Sequence, residues 1–490
     1  MGGKNAEVQR LEDCAGQKLM TFASLGYLTF LLLLLPAYRW TPVKQRWILF
    51  LAASYYFYGC WNIKYSLLML ASTVFSYWGA LWVAPGRPTW LRKTGLVFGV
   101  GLNLAMLAGF KYWNFFREET GQVVGWFGLT NPLPVFEVLL PVGISFYTFQ
   151  ALSYVIDVYR GQQPAERHLG WYSTYHAFFP QLVAGPIERV GHLLGQLKNM
   201  PARLRGQDLA DGFRLILWGL FMKLVVADNL AALVDQIALL KHPRFLQGII
   251  LMGGFGLQIY FDFNAYSTIA IGSARLFGVN LMDNFRRPYM ATSIRDFWKR
   301  WHISLTTWFR DYVYFPLGGN RVEGVRWALN IAAVFVLSGL WHGAGLTFLV
   351  WGAGHALLYL LESVLRDRPL GQRLRQLPVW IRRLAVFQLT GILWLFFRAS
   401  SLDQAGGWLK NMTEPKRMLS LRSINLDGGI VVGILMAALI LWMEIRSEKD
   451  ESVDMMKWTR LQRWGVYALA AYGILLFGRF GNSGFIYFQF

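Results

Sequence analysis

Residues 429–446 read GIVVGILMAALILWMEIR, and this stretch decides the fold of the chain. Its charged side chains, Glu444 and Arg446, both stand near its end. A helix needs about 20 predominantly apolar residues, with a range of about 17–25, to cross a hydrocarbon layer of ~30 Å. The stretch therefore predicts a membrane-spanning helix.

Similar apolar runs recur along all 490 residues, of which 55% are hydrophobic and 16% charged. Spans of this kind are predicted at 21–37, 45–62, 64–84, 95–112, 134–156, 210–232, 247–271, 327–341, 344–363, 380–398, 429–446 and 464–480. Because the bilayer core holds no water, each segment must satisfy its backbone hydrogen bonds as a helix. The 49 glycines and 17 prolines indicate broken or re-entrant pieces. The predicted fold is an all-α integral membrane protein of about 11–13 transmembrane helices with re-entrant and interfacial helices.

Charge and cysteine content argue against several classes of protein. The net charge is +20, but Lys and Arg lie in short connections between apolar runs, as in membrane topology signals and contacts with anionic lipids. Cys14 and Cys60 are too few for a disulfide scaffold, and no Cys/His cluster has metal-ligand spacing. We therefore expect membrane lipids as partners and no nucleic acid, metal or bound cofactor.

Basic residues also predict the orientation in the membrane. The polar connections 38–44, 85–94, 157–209, 272–326 and 364–379 fall on one side of the twelve spans, and they hold 24 of the 48 Lys and Arg residues. The positive-inside rule makes that side cytoplasmic and both termini extracytoplasmic. The outward connection 399–428 is also basic, and a re-entrant segment there would reverse the orientation of the last two spans.

The chain reads as one membrane domain with two short appendages. Residues 1–20 form a polar N-terminal extension without the order of a cleavable signal peptide, and 21–480 form the membrane domain. Residues 481–490 form an aromatic tail. Small-residue pairs such as Gly95 with Gly99 and Gly339 with Gly343 are spaced for close helix packing.

The stretch 293–321, SIRDFWKRWHISLTTWFRDYVYFPLGGNR, is too charged to span a membrane. Its aromatic residues interleave with basic ones, which is typical of helices lying in the membrane interface. His302 stands in the middle of this stretch. Anchoring at the headgroup level and a functional role are both open for this histidine.

His342 interrupts the apolar stretch LSGLWHGAG at 337–345. Ionisable groups at membrane depth are costly, and they usually mark a functional site or a water-filled pathway. An imidazole, with an unperturbed pKa of roughly 6.5, is suited to take a proton from a hydroxyl near neutral pH. Catalysis is therefore favoured over a buried structural role. His355 is interpreted as a packing residue or a supporting partner.

Polar side chains also occur in other apolar surroundings. Asp262 and Asn264 lie in a predicted span, where an unpaired carboxylate would cost a few kcal/mol, so we expect Asp262 to pair with an arginine from 286–310 or with a histidine. Gln181 lies in 178–189, an apolar piece with proline near each end. This piece is either re-entrant and lines a cavity, or forms an ordinary interfacial turn.

Several of these segments together resemble the membrane-bound O-acyltransferase (MBOAT) family, in particular its bacterial branch with the alginate O-acetylase membrane subunit and the teichoic-acid D-alanyl transfer subunit. The matching segments are 140–150, 179–187, 260–263, 295–321 and 339–344. The resemblance implies a funnel-like helix bundle in the bacterial cytoplasmic membrane, with a pore that joins a cytoplasmic donor to an acceptor on the far face. It also implies catalytic roles for His342 and for a second family histidine, His302, which would orient the donor or stabilise the developing oxyanion. The expected substrate-binding or pore-lining residues are Asp262, Asn264, Gln181, Trp341, Ser338 and Arg310.

The last six residues, FIYFQF at 485–490, look like the F-x-Y-x-x-F ending of the small partner peptide of the D-alanylation system. That resemblance implies that Tyr487 carries an acyl group, whereas an interfacial aromatic anchor is the alternative.

The resulting hypothesis is transfer of an acyl group, acetyl rather than D-alanyl, from acetyl-CoA through His342 and Tyr487. The acyl group would pass to an extracytoplasmic serine hydrolase-like acetyltransferase and then to an envelope polysaccharide. Direct activation of the acceptor by His342 without Tyr487 is a variant. A transporter or flippase without transfer chemistry, and an acyltransferase for lipids or sterols, are alternatives. The motifs of nucleophile-elbow hydrolases, P-loop ATPases, dinucleotide enzymes and HExxH proteases are missing from the sequence.

Overall fold

A computed structural model of the chain describes residues 20–131, 133–135, 140–183, 185–240, 243–413, 424–447, 459–480 and 484–486. The regular structure within these ranges is helical, and they contain no β-strand. The chain divides into two compact units. The first comprises described residues of 1–213 and 270–281, and the second those of 214–269 and 282–490.

The first unit contains a series of helices that precede residue 200. They are α1 (Leu25–Trp40), α2 (Arg46–Gly59), α3 (Ile63–Val83), α4 (Thr89–Trp126), α5 (Ile144–Tyr159), α6 (Leu169–His176), α7 (Phe179–Leu182) and α8 (Val190–Lys198). Two long helices, α9 (Gly206–Ala238) and α10 (Phe245–Arg275), contribute residues to both units. The described part of 178–189 is non-helical apart from the four-residue helix α7, so the predicted break in helical structure is present there.

The second unit contains the remaining helices. They are α11 (Ile294–Arg300), α12 (Ile303–Phe309), α13 (Gly324–His342), α14 (Leu346–Leu365), α15 (Pro369–Gln376), α16 (Val379–Arg398), α17 (Leu402–Met412), α18 (Gly428–Arg446) and α19 (Arg460–Phe477). A π-helical turn at Met222–Ala227 interrupts α9, and another, Arg310–Tyr314, follows α12.

All twelve predicted spans overlap helices, although the span predicted at 134–156 meets a helix that begins only at Ile144. Among the described residues, α3, α4, α9, α10, α13, α14, α16 and α18 are long and apolar enough to cross a membrane. The other four predicted spans overlap α1, α2, α5 and α19, which have 16, 14, 16 and 18 residues. The all-α multi-pass membrane fold is therefore confirmed.

Glycines allow close helix packing inside each unit, as the small-residue spacing predicts. In the first unit, a Cβ added to Gly79 of α3 would lie 2.6 Å from the Cα of Gly99 in α4. In the second unit, a Cβ added to Gly339 of α13 would contact the carbonyl oxygen of Phe348 in α14. Because α13 carries His342 at its end, this contact also fixes the position of that imidazole.

Candidate active site

His302 lies between two short helices in a backbone conformation that is unusual for its residue type. Its φ is 42° and its ψ 56°, and only one other described non-glycine residue, Arg287, has positive φ. This left-handed region costs a residue with a Cβ about 1–3 kcal/mol and is found most often at functional sites. Backbone bonds hold the conformation, with Trp301 N–H donating to Phe297 O and Thr306 N–H to His302 O, both at 2.9 Å.

A polar relay through Asn284 ties the start of α12 to α10. Ser304 Oγ donates to Asn284 Oδ1 at 2.6 Å, and Asn284 Nδ2 donates to Ser267 Oγ at 2.9 Å. The same relay places the His302 ring against Phe263 of α10, with ring centroids 4.6 Å apart at 88°. The Phe263 ring and the hydrogen bonds of Asn284 thus hold the His302 imidazole against α10.

The His302 side chain is fully buried, and burial lowers its pKa to about 3. The charged form loses hydration in such surroundings, so the ring is neutral near pH 7. A neutral imidazole has one donor and one acceptor nitrogen. His302 can therefore donate one hydrogen bond to a substrate atom without bringing a positive charge.

His342 is the last residue of α13 and is only 3% exposed. Aromatic rings surround its imidazole, with centroid distances of 5.0 Å to Trp341, 5.1 Å to Trp351 and 5.3 Å to Phe397. Gly343 ends the helix and its N–H donates to Gly339 O at 3.2 Å. A Cβ at position 343 would overlap the Phe348 ring, so only glycine fits beside this histidine.

The structure brings the two predicted histidines together. Their ring centroids are 6.4 Å apart, and Trp341 contacts both, at 5.8 Å from His302 and 5.0 Å from His342. The two imidazoles are therefore close enough to belong to one site. His355 packs between Trp298 and Trp351 at 4.8 Å from each, in agreement with its interpretation as a packing residue.

Asp262 is buried on α10 and belongs to a charged cluster. Its Oδ1 lies 2.7 Å from Lys223 Nζ, which is also 2.8 Å from Asp228 Oδ1. The predicted partner, an arginine from 286–310 or a histidine, is therefore wrong. A Cβ added to Gly219 of α9 would lie 2.5 Å from a side-chain carbon of Ile269, so α9 and α10 are close enough for Lys223 to reach Asp262.

Phe485 and Ile486 lie in the same region of the second unit. Ile486 N–H donates to Asp262 Oδ2 at 2.8 Å. The buried Phe485 ring lies 4.5 Å from Tyr266 and 5.4 Å from Phe263, the ring that also contacts His302. Tyr487, the predicted acyl carrier, lies outside the described residues.

Two of the other predicted site residues lie beside the histidines. Trp341 contacts both imidazoles, and Ser338 is buried one helical turn before His342 on the same face of α13. Asn264, half-buried on α10, places its Nδ2 3.9 Å from the sulfur of Met222.

Gln181 and Arg310 have other surroundings. In the first unit, Gln181 Nε2 donates to Tyr175 O at 2.7 Å and to Gln150 Oε1 at 3.1 Å. Arg310 is exposed, and its Nε lies 2.8 Å from Asp311 Oδ1. The predicted substrate-binding roles of both residues stay predictions.

The expected interfacial aromatic belt is correct only in part. Trp298, Trp301, Trp308 and Phe309 are 7%, 0%, 5% and 4% exposed, whereas Phe315 is 53% exposed. Headgroup anchors need exposed rings, so the four buried rings act in packing instead. Trp301 directly precedes His302, and both side chains are fully buried.

Sequence reasoning missed Lys223, Asp228 and Asn284 as parts of the site. A signal for the first two was present, because opposite charges five residues apart interrupt an apolar span and must find partners inside the protein. Asn284 had no such signal, since it lies in a polar connection where asparagine is ordinary.

Comparison with known proteins extends these observations. The sequence profile of the membrane-bound O-acyltransferase family matches residues 165–399. A probable alginate O-acetylase AlgI of Pseudomonas putida is 35% identical over 96% of this chain and 100% of its own length. A second, from Azotobacter vinelandii, is 40% identical over 79% of this chain and 76% of its own. A peptidoglycan O-acetyltransferase of Helicobacter pylori is 33% identical over 80% and 78%.

Full-length similarity above 30% identity, together with a profile match that includes both histidines, identifies the family. Membership of this family also favours an enzyme that transfers an acyl group over a transporter or flippase without transfer chemistry. The chain belongs to the membrane-bound O-acyltransferase family and is an O-acyltransferase.

Proposed function

We propose that this enzyme transfers an acetyl group from cytoplasmic acetyl-CoA, through Tyr487, to an envelope polysaccharide outside the cytoplasmic membrane. The relatives support acetyl as the group and a polysaccharide as the acceptor, because their names refer to alginate and to peptidoglycan O-acetylation. A multi-pass membrane protein with both termini extracytoplasmic would present Tyr487 on the acceptor side.

One observation carries the relay through Tyr487. The Phe263 ring contacts the His302 ring on one side and the Phe485 ring on the other, at centroid distances of 4.6 and 5.4 Å. Phe485 is two residues before Tyr487 in the sequence, and consecutive Cα atoms are 3.80 Å apart. The described residue Phe485 thus belongs to the same aromatic cluster as His302, and this supports the proposal that Tyr487 acts at the histidine pair.

The first step forms a tyrosyl ester. A neutral His342 nitrogen takes the phenol proton of Tyr487, and the phenolate oxygen attacks the thioester carbonyl. The tetrahedral intermediate collapses, the C–S bond breaks, and the leaving thiolate takes the proton from His342 and departs as the free thiol, which returns His342 to its neutral form. A phenol with a pKa of about 10 is only ~0.1% ionised at pH 7, so a positioned base contributes on the order of 10²- to 10⁴-fold.

His302 stabilises the intermediate in this scheme. Its neutral ring donates one hydrogen bond to the developing oxyanion in a water-poor site, where one such donor contributes on the order of 10²–10³ in rate. In the second step, a serine hydroxyl of an extracytoplasmic hydrolase-like partner attacks the tyrosyl ester. The serine proton returns to the Tyr487 oxygen, and the partner delivers the acetyl group to a sugar hydroxyl.

Covalent labelling tests this proposal. The purified full-length protein is incubated with radiolabelled acetyl-CoA in detergent, denatured and assayed for retained label. Tyr487→Phe and His342→Ala are compared with Tyr472→Phe, which alters an exposed tyrosine, and with His168→Ala, which alters an exposed histidine.

We expect label on the wild type and on both controls, and none on Tyr487→Phe or His342→Ala. Retention of polymer acetylation by Tyr487→Phe would refute the relay and leave direct activation of the acceptor by His342. Full labelling of His342→Ala would refute its role as the base.

A further inference from the structure

Arg479 and residues 484–486 are held at two separate places in the second unit. Arg479 N–H donates to Leu224 O at 3.1 Å, and Arg479 Nε donates to Asn229 Oδ1 at 2.7 Å. The Arg479 guanidinium also pairs with Asp427. Asn229 Nδ2 in turn donates to Phe477 O at 2.9 Å, which fixes the end of α19.

The first place depends on the π-helical turn Met222–Ala227 in α9. A π-bulge shifts the i→i+4 hydrogen bonds of a helix and leaves carbonyl groups open to other donors, and such bulges are frequent at functional sites. Here Leu224 O accepts from Arg479 N–H and from Asn229 Nδ2, at 3.1 and 3.4 Å. The irregular turn thus presents a backbone acceptor to the C-terminal segment.

The second place is the buried charged cluster. Lys223 Nζ lies 3.5 Å from Gly484 O, and Asp262 Oδ2 accepts from Ile486 N–H at 2.8 Å. Lys223 and Asp262 are 2% and 4% exposed in their side chains. A buried carboxylate needs its lone pairs satisfied, and the C-terminal backbone supplies one of the donors.

The charge balance explains why the cluster suits a backbone ligand. One lysine faces two aspartates, which leaves the cluster with one net negative charge. The Ile486 N–H group points its partial positive charge at the Asp262 carboxylate. It therefore offsets part of the negative charge of the cluster without adding a second buried cation. The Phe485 side chain meanwhile fills an aromatic niche between Tyr266 and Phe263.

We propose that Lys223, Asp262 and the π-helical turn form a receptor for Arg479 and residues 484–486, and that Asp262 is a positioning residue that holds Phe485 and Ile486 beside Phe263, the ring that contacts His302. This inference rests on the proposed function for its consequence in catalysis. The binding of residues 484–486 to Lys223 and Asp262 does not depend on the proposed function. With the proposed relay, the docked residues 484–486 would tether Tyr487 and so raise the effective concentration of its phenol at the site.

Cysteine accessibility tests the docking in the full-length chain. Ile486 is 2% exposed, so a cysteine there should react slowly with a maleimide when the segment is docked. The parent for this test carries Ile486→Cys with Cys14→Ser and Cys60→Ser. We expect Asp262→Asn to raise the labelling rate at least about tenfold, because an amide cannot accept from both Lys223 and Ile486 without turning its NH₂ toward one donor.

Asp235→Asn is the matched control for this substitution. Asp235 pairs with Arg398 at 2.7 Å but is 55% exposed in its side chain, so its loss should leave the labelling rate of the cysteine unchanged. An unchanged rate in Asp262→Asn would overturn the receptor, as would fast labelling of the parent.

A second pair of variants leaves the receptor intact in case Asp262→Asn fails to fold. Ile486→Pro removes the N–H that Asp262 accepts, and Ile486→Ala keeps this N–H while removing more side chain. We expect the formation rate of the tyrosyl ester to fall at least about tenfold in Ile486→Pro relative to Ile486→Ala, with KM for acetyl-CoA unchanged. Equal rates in the two would overturn the positioning role.

The two proposals fail in different ways. If Asp262→Asn exposes the cysteine but Tyr487→Phe still acetylates polymer, the receptor stands and the tyrosine relay fails. If Tyr487→Phe abolishes acetylation but Asp262→Asn leaves the cysteine protected, the relay stands and the receptor fails.

Discussion

Replacing Lys223 with methionine should destabilise the protein by about 3–5 kcal/mol, because the substitution leaves two buried carboxylates without their cation. The Lys223 ammonium lies 2.7 Å from Asp262 and 2.8 Å from Asp228, and all three side chains are at most 4% exposed. Its removal changes the net charge of the cluster from −1 to −2 in surroundings that cannot hydrate it. Methionine retains most of the lysine stem volume, so the loss is mainly electrostatic.

Thermal unfolding in a fixed detergent measures this effect, together with variants that remove the carboxylates. The triple variant Lys223→Met/Asp228→Asn/Asp262→Asn has no buried charge in the cluster and should recover at least ~2 kcal/mol relative to Lys223→Met. Lys198→Met is the control, because Lys198 pairs with Glu166 at the surface and is 37% exposed. It should change stability by about 0–1 kcal/mol.

Two results would refute the reasoning. A Lys223→Met variant as stable as Lys198→Met would mean that the aspartates are neutral or hydrated in the fold. A triple variant less stable than Lys223→Met would mean that the cluster stabilises the fold by geometry and not through compensation of charge.

Further predictions concern the histidine pair and its supports. Because burial lowers the pKa of His302 to about 3, the unfolded state takes up a proton below about pH 6.5 while the folded state does not. Stability measured by thermal unfolding should therefore fall as the pH drops below 6.5, and it should fall less steeply in His302→Gln. Gly339→Ala should lower the free energy of unfolding by about 1–3 kcal/mol and abolish most transfer activity, because its Cβ would meet the backbone of the next helix. Gly406→Ala is the control: its Cβ would meet open space, so stability should be unchanged or slightly higher and transfer activity unchanged. Asn284→Ala should lower the free energy of unfolding by about 1–3 kcal/mol and lower kcat by a larger factor than it raises KM, because it frees the backbone that orients His302. A variant that melts at the same temperature as the wild type would contradict this.

The membrane fold was predictable because it depends on local composition. A run such as 429–446 can be satisfied in a bilayer only as a helix, and the structure has Gly428–Arg446 there. The same logic holds for His342. An imidazole inside an apolar run must be buried, and it is, at 3% exposure among aromatic rings.

The surroundings of His302 were predicted less well. Alternating charge and aromatic residues in 293–321 are compatible with a surface helix and with a folded loop, because both place polar groups near solvent. The burial of Trp301 and the hydrogen bonds of Asn284 to Ser267 and Ser304 favour the folded loop. Nothing local to His302 specifies either contact.

The sequence by itself determined the all-α membrane architecture, the positions of its spans and the two histidines, because hydropathy and the cost of a buried imidazole are properties of short segments. Only the tertiary structure decided that Lys223 is the partner of Asp262 and that Phe485 and Ile486 return to α10. Residues 39 and 224 positions apart meet through helix packing and side-chain direction, which no single segment encodes.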